Sequence, residues 1–142
     1  MINCIFVRSR KEMESCMETL SKPSLLITIR DVGAKPIRVT SPHIHEITYL
    51  EFEDWDKEND GQIVISDSDA KRIVNLVLRN HIKEEEFDLY VNCEAGQSRS
   101  AGVAAAISKV LFDDDEIFFR TKHPNMLCYR KVYDALMKEV QG

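Results

Sequence analysis

Val91-Asn92-Cys93-Glu94-Ala95-Gly96-Gln97-Ser98-Arg99-Ser100 is the stretch whose reading decides the fold. Just upstream, residues 87–92 alternate, with Phe87, Leu89 and Val91 on one face, as in a strand. Downstream, residues 101–111 are rich in alanine and aliphatics and favour helix. The ten residues therefore read as a strand that stops at a cysteine, a tight loop, and a helix starting near Arg99. A loop so placed aims successive backbone N–H groups at one point before the helix N-terminus. Those amides, with the positive end of the helix dipole, suit a tetrahedral oxyanion. Cys93 lies at the floor of the cup, and Arg99, five residues further on, brings a planar fork of donors.

By residue type alone, Cys93 is a buried structural cysteine and Arg99 a solvated residue at a helix start. Position argues otherwise. A cation near a helix N-terminus is unfavourable unless an anion sits between them. Gly96 allows a backbone turn that a side chain would block. A helix N-terminus and a neighbouring guanidinium together favour the thiolate form that attacks.

The spacing Cys-x5-Arg-Ser, and Gly96-Gln97-Ser98-Arg99-Ser100 in particular, resembles the protein tyrosine phosphatase superfamily, above all its dual-specificity and bacterial or phage-type branch. The likeness is strong over these ten residues and looser across residues 49–135. It implies a cysteine-dependent phosphatase that hydrolyses phosphotyrosine esters, and is open to phosphoserine and phosphothreonine, through a cysteinyl-phosphate intermediate. Cys93 is then the nucleophile. The phosphate loop comprises Glu94, Ala95, Gly96, Gln97, Ser98 and Arg99. Ser100 donates to the sulfur when it leaves. No cofactor or metal is required, and inorganic phosphate, sulfate or vanadate should occupy the loop.

The resemblance also implies an aspartate on an upstream loop as general acid. The acidic segment 51–61 offers Asp54, Asp56 and Asp60. A strand followed by Phe52-Glu53-Asp54 resembles the bacterial members and selects Asp54, with Asp56 second. Asp60-Gly61 reads as a plain turn. One departure stands out: Asn92 replaces the histidine that usually precedes the cysteine. It keeps open a phosphate-binding pseudophosphatase or adaptor, and a thiol enzyme of the rhodanese or arsenate-reductase type, which also uses a cysteine in an anion cup, is the second alternative. The loop carries Glu94 and Gln97 but no lysine, which favours a phosphorylated protein or peptide over inositol lipids or RNA ends.

A length of 142 residues suits one domain, 1–142. A net charge of −5 argues against non-specific nucleic-acid binding. No apolar run approaches membrane-spanning length, and the first residues lack the layout of a secretion signal. Cys4, Cys16, Cys93 and Cys128 form no metal-type pair, so a reduced, cytoplasmic protein is expected. His43 and His45 share a strand face but have no third ligand at motif spacing.

Along the chain, strands are expected over residues 2–7, 25–29, 46–52 and 87–92, and helices over 9–20, from Ser66, from Arg99, up to Lys122 and from His123 onward. Ser66 and Asp69 suit a capping pair. Ala70, Ile73, Val74, Val77 and Leu78 form one core stripe, and Tyr129, Val132, Tyr133, Leu136, Met137 and Val140 another. Residues 33–42 hold two prolines and a glycine and read as irregular. Trp55 either braces the acid loop or joins the core. The alternation predicts an α/β fold of three α/β/α layers with a central, mostly parallel sheet of the dual-specificity-phosphatase type. The loop at Cys93 then opens at the carboxyl end of a central strand.

Overall fold

In the structure, a computed structural model that describes residues 1–141, four strands form one wholly parallel sheet. Its edges are β1 (Ile2–Ser9) and β3 (Ile44–Glu51), and its centre is β4 (Phe87–Cys93) and β2 (Ser24–Arg30), in the order β1-β4-β2-β3. Helix α1 (Arg10–Cys16) follows β1, and α2 (Asp67–His81) connects β3 to β4. After β4 come α3 (Arg99–Phe112), α4 (Glu116–Thr121) and α5 (Met126–Gln141).

A parallel sheet must be covered on both faces, and strand alternation divides the side chains accordingly. Leu25, Ile27 and Ile29 of β2 and Phe87, Leu89 and Val91 of β4 join the larger core, where α2, α3 and α5 close over them. Leu26 and Tyr90 point the other way, into a smaller core with Met13, Met17 and Ile37. That second layer is thin: α1 is seven residues long, and the irregular segment 31–43 supplies the rest. The α/β/α layering expected from the alternation is therefore present, with one face helical and the other covered half by loop.

Local chemistry sets the helix ends. Ser9 Oγ accepts the Glu12 N–H at 3.0 Å while Glu12 Oε1 accepts the Ser9 N–H at 2.7 Å. Ser66 and Asp69 make the same reciprocal pair at 3.0 and 2.9 Å, each satisfying donors that a helix start leaves free. The first helix was expected to reach residue 20 but stops at Cys16. There the Thr19 N–H and Oγ1 both turn back onto the Cys16 carbonyl, tightening the last turn.

The stripe on α2 is broader than its spacing predicts: Leu76 is buried with Ala70, Ile73, Val74 and Val77, and Leu78 is half-buried. This helix lies against both β3 and α5 and must bury two faces. At its far end Asn80 donates to the Leu76 carbonyl and to Glu46, and Arg79 pairs with Glu46, strapping the helix to the edge strand. On α5 the buried residues are Leu127, Cys128, Val132 and Leu136, while Val140 is exposed because the helix outruns the core. Asp113 ends α3 in the left-handed conformation at φ 58°, a geometry aspartate tolerates better than most residues.

Leu89 lies in the central strand with 0% exposure. Leu89→Ala should destabilise the fold by about 2–5 kcal/mol. Urea denaturation should show a lowered midpoint with an unchanged slope.

Candidate functional site

The loop after β4 holds its shape through its carbonyls. Arg10 N–H donates to the Glu94 carbonyl at 3.1 Å, His123 N–H to Gln97 at 2.9 Å, and Asn125 N–H to Ser98 at 2.9 Å. Gly96 has φ +69°, and a Cβ there would lie 2.4 Å from Ser9 N and 2.6 Å from Arg8 C. The loop is thus seated directly on the β1–α1 junction, where only glycine fits. With the carbonyls engaged from outside, the amides are left over. Among the described residues, the backbone N–H groups of Glu94, Ala95, Gly96, Gln97 and Ser98 donate to no protein acceptor. Unpaired amides in sequence before a helix are an anion-binding arrangement.

Cys93 is 2% exposed, and its Sγ lies 3.0 Å from Ser100 Oγ. The strand and the first turn of α3 bring the two together. Ser98 stands at the N-cap of α3 but makes no side-chain cap. Its hydroxyl donates instead to Asp54 Oδ1 at 2.8 Å, which leaves the helix N-terminus open.

Arg99 is 5% exposed. Its Nη1 donates to the Phe52 carbonyl at 2.7 Å, and its Nη2 forms an ion pair with Asp31 Oδ1 at 2.8 Å. Its Nε is buried without a protein partner. The ends of β2 and β3 therefore both touch the start of α3.

Of the three candidate aspartates, Asp54 is the one joined to the loop. Its Oδ1 accepts from Ser98 and also from Asn125 Nδ2 at 2.8 Å. Asn125 Nδ2 further donates to the Trp55 carbonyl at 3.0 Å, and its Oδ1 accepts the Cys128 N–H at 2.9 Å. Asp56 and Asp60 are exposed, and Gly61 takes a positive φ in the turn expected there. A helix was expected from His123 onward, and Asn125 caps α5. Sequence reasoning missed its other end, which holds the segment at Asp54 and Trp55; the clue was that a capping asparagine keeps an amide to spare. Asp31 was missed as well, with no signal beyond a turn at a strand end. Trp55 is 44% exposed, so it is not part of the core.

Asn92 is buried with its Oδ1 unpartnered, and its Nδ2 is 3.5 Å from the Cys93 carbonyl. Cys128 is a second buried free thiol. Burial pushes it up, further raised by the nearby Asp54 carboxylate, and so keeps it protonated. His45 faces Glu85 at 3.8 Å. Among the described residues, no three His, Cys, Asp or Glu side chains gather as a metal ion needs, and no helix is long and apolar enough to cross a membrane.

No protein-family model matches the chain, and no curated protein matches it. Solved structures do share its architecture. The human tyrosine phosphatase-like serine/threonine/tyrosine-interacting protein superposes with a TM-score of 0.57 at 16% identity, over 96% of this chain and 93% of that one. Human DUSP28 gives 0.58 at 13% identity, over 97% and 95%. PTPMT1 gives 0.56 at 14% identity, over 98% and 96%. The chain thus has the fold of the dual-specificity-type phosphatases and phosphatase-like proteins.

Gly96 and Gly61 both have positive φ, but a Cβ at Gly61 meets nothing within 4 Å. Gly61→Ala should cost about 1 kcal/mol of backbone strain. Gly96→Ala should cost clearly more, because backbone must move. Thermal denaturation of the two variants side by side checks this.

Proposed function

We propose that this chain is a cysteine-dependent phosphatase acting on phosphotyrosine in proteins or peptides, with phosphoserine and phosphothreonine as further substrates. The observation that carries the reading is the buried Cys93 sulfur, 3.0 Å from Ser100 Oγ beneath a loop of unpaired amides. The thiolate of Cys93 attacks phosphorus while the bond to the leaving oxygen breaks. The amides of residues 94–99 and the Arg99 guanidinium take the charge on the three equatorial oxygens.

Asp54 gives its proton to the leaving oxygen. Both hydrogen bonds to its carboxyl fall on Oδ1, so Oδ2 is the oxygen that carries the proton. In the second step Asp54 takes a proton from water, the water oxygen bonds to phosphorus, and the S–P bond breaks. The Ser100 hydroxyl donates to the departing thiolate. Asn125 keeps Asp54 over the loop throughout. Glu94 and Gln97 are exposed on the loop and disfavour polyanionic lipids or RNA ends. All four cysteines are free, which suits a reducing, cytoplasmic setting. The chain acts as one domain.

A second reading is a phosphate-binding adaptor that turns over slowly or not at all. Asn92, buried with an unpartnered oxygen where a histidine is usual, favours it. A protein of the same fold is described as phosphatase-like and interacting. A rhodanese-type thiol enzyme has no use for Asp54 and its two donors.

Turnover of an aryl phosphate separates these readings. Cys93→Ser should abolish it, and Asp54→Ala should lower kcat by roughly a hundredfold to ten-thousandfold. The pH–rate profile of Asp54→Ala should lose the alkaline limb that wild type shows. Wild type that binds phosphopeptide without turnover would establish the adaptor.

Asn125→Ala removes the acid's second donor and the cap of α5. It should lower kcat by about tenfold to a hundredfold while leaving a Cys93-dependent activity. Steady-state kinetics with a phenyl phosphate, whose poor leaving group needs the acid, should show the larger loss.

A further inference from the structure

We propose that the groove between α2 and α5 is a docking site for an acidic amphipathic helix of a partner protein. None of residues 93–100 lines it, so the inference does not depend on the reaction read at the anion loop. The cavity measures about 1080 Å³. One wall is a face of α2 on which Ala70, Lys71 and Val74 recur at helical spacing. The other is a face of α5 bearing Leu127, Lys131, Ala135 and Lys138. Ala70 and Ala135 line the groove from opposite walls, and a side chain that ends at Cβ leaves the gap unfilled. The apolar lining is completed by Val74 and Leu127, both buried, and by half-buried Met137. Two neighbouring helices present a trough that a third fills with a ridge of its own side chains.

Charge selects the partner. Lys131 Nζ is engaged by Glu58 Oε1 and Asp67 Oδ1, each at 2.8 Å. Lys57, Lys71, Arg130 and Lys138 also line the groove and are exposed. Among the described residues these four cations pair with no carboxylate, and only two unpaired carboxylates of the lining, Asp134 and Glu139, stand against them. The free charge is therefore in positive surplus, on a chain whose net charge is −5. Long cationic side chains at the rim of an apolar trough can lie along it and reach carboxylates on an incoming helix. A second copy packed two-fold on this face would set the same cations against one another, which disfavours self-association here.

Fluorescence polarisation of a labelled helical peptide, titrated with the full chain, tests this. The probe carries leucines at helical spacing with glutamates and alanines between them. It should bind saturably and more weakly as salt rises. The same peptide with lysine for glutamate, or with serine for leucine, should bind at least about tenfold more weakly. Lys71→Glu combined with Lys138→Glu, both exposed and fold-neutral, should weaken the acidic peptide by about tenfold or more. Lys11→Glu, the same charge change on α1 across the sheet, should stay within about twofold of wild type. Ala135→Glu, which puts a carboxylate in the trough, should abolish binding. No binding of the acidic peptide, equal binding of the lysine or serine peptide, or an unaffected Lys71→Glu/Lys138→Glu variant overturns the proposal. So does a wild-type dimer in sedimentation that Lys71→Glu/Lys138→Glu disperses, since the groove then takes a second copy of this chain.

Discussion

An arginine that is only 5% exposed has to find in protein partners for the charge it takes out of water. That requirement at Arg99 organises the carboxyl edge of the sheet. The Phe52 carbonyl closes one side and the Asp31 carboxylate another. These groups stand at the ends of β3 and β2, while Arg99 opens α3 beyond β4. Three neighbouring strands are thus registered against one side chain, at the edge where open α/β sheets hold ligands.

The loop before Arg99 answers the same requirement with opposite polarity. Its carbonyls at Glu94, Gln97 and Ser98 are bound by amides from the β1–α1 junction and from the residues before α5. Ser98 turns its hydroxyl to Asp54 and does not cap its own helix. A capped helix start would have its orphan donors satisfied internally. The uncapped one keeps them available, at some cost in local stability, a pattern common at functional sites.

Much of this was legible in the sequence because it is local. The alternation at Phe87, Leu89 and Val91 marks the strand, the alanine-rich run marks the helix, and Ser66 with Asp69 marks a capped start. Each signal lies within a few residues. Asp54 could be singled out by the pattern around it, and its bond to Ser98 spans a gap no local rule reaches. Asp31 and the amide end of Asn125 were not legible, since both act through partners brought near only by strand order and helix packing. Leu76 and Val140 were misjudged for a related reason. A stripe predicts which face is apolar, not how many neighbours that face will meet or where the core ends.

Strand order has a consequence for how the chain comes together. β1 and β2 are the first strands in the chain, yet they do not touch; β4 lies between them. As the polypeptide leaves the ribosome, its opening segments must wait for residues in the last half before the sheet can close. Such distant pairing is slow and leaves edges bare in the interim. The strand that completes the sheet is also the one that carries Cys93, so that thiol is enclosed only in molecules that have finished folding.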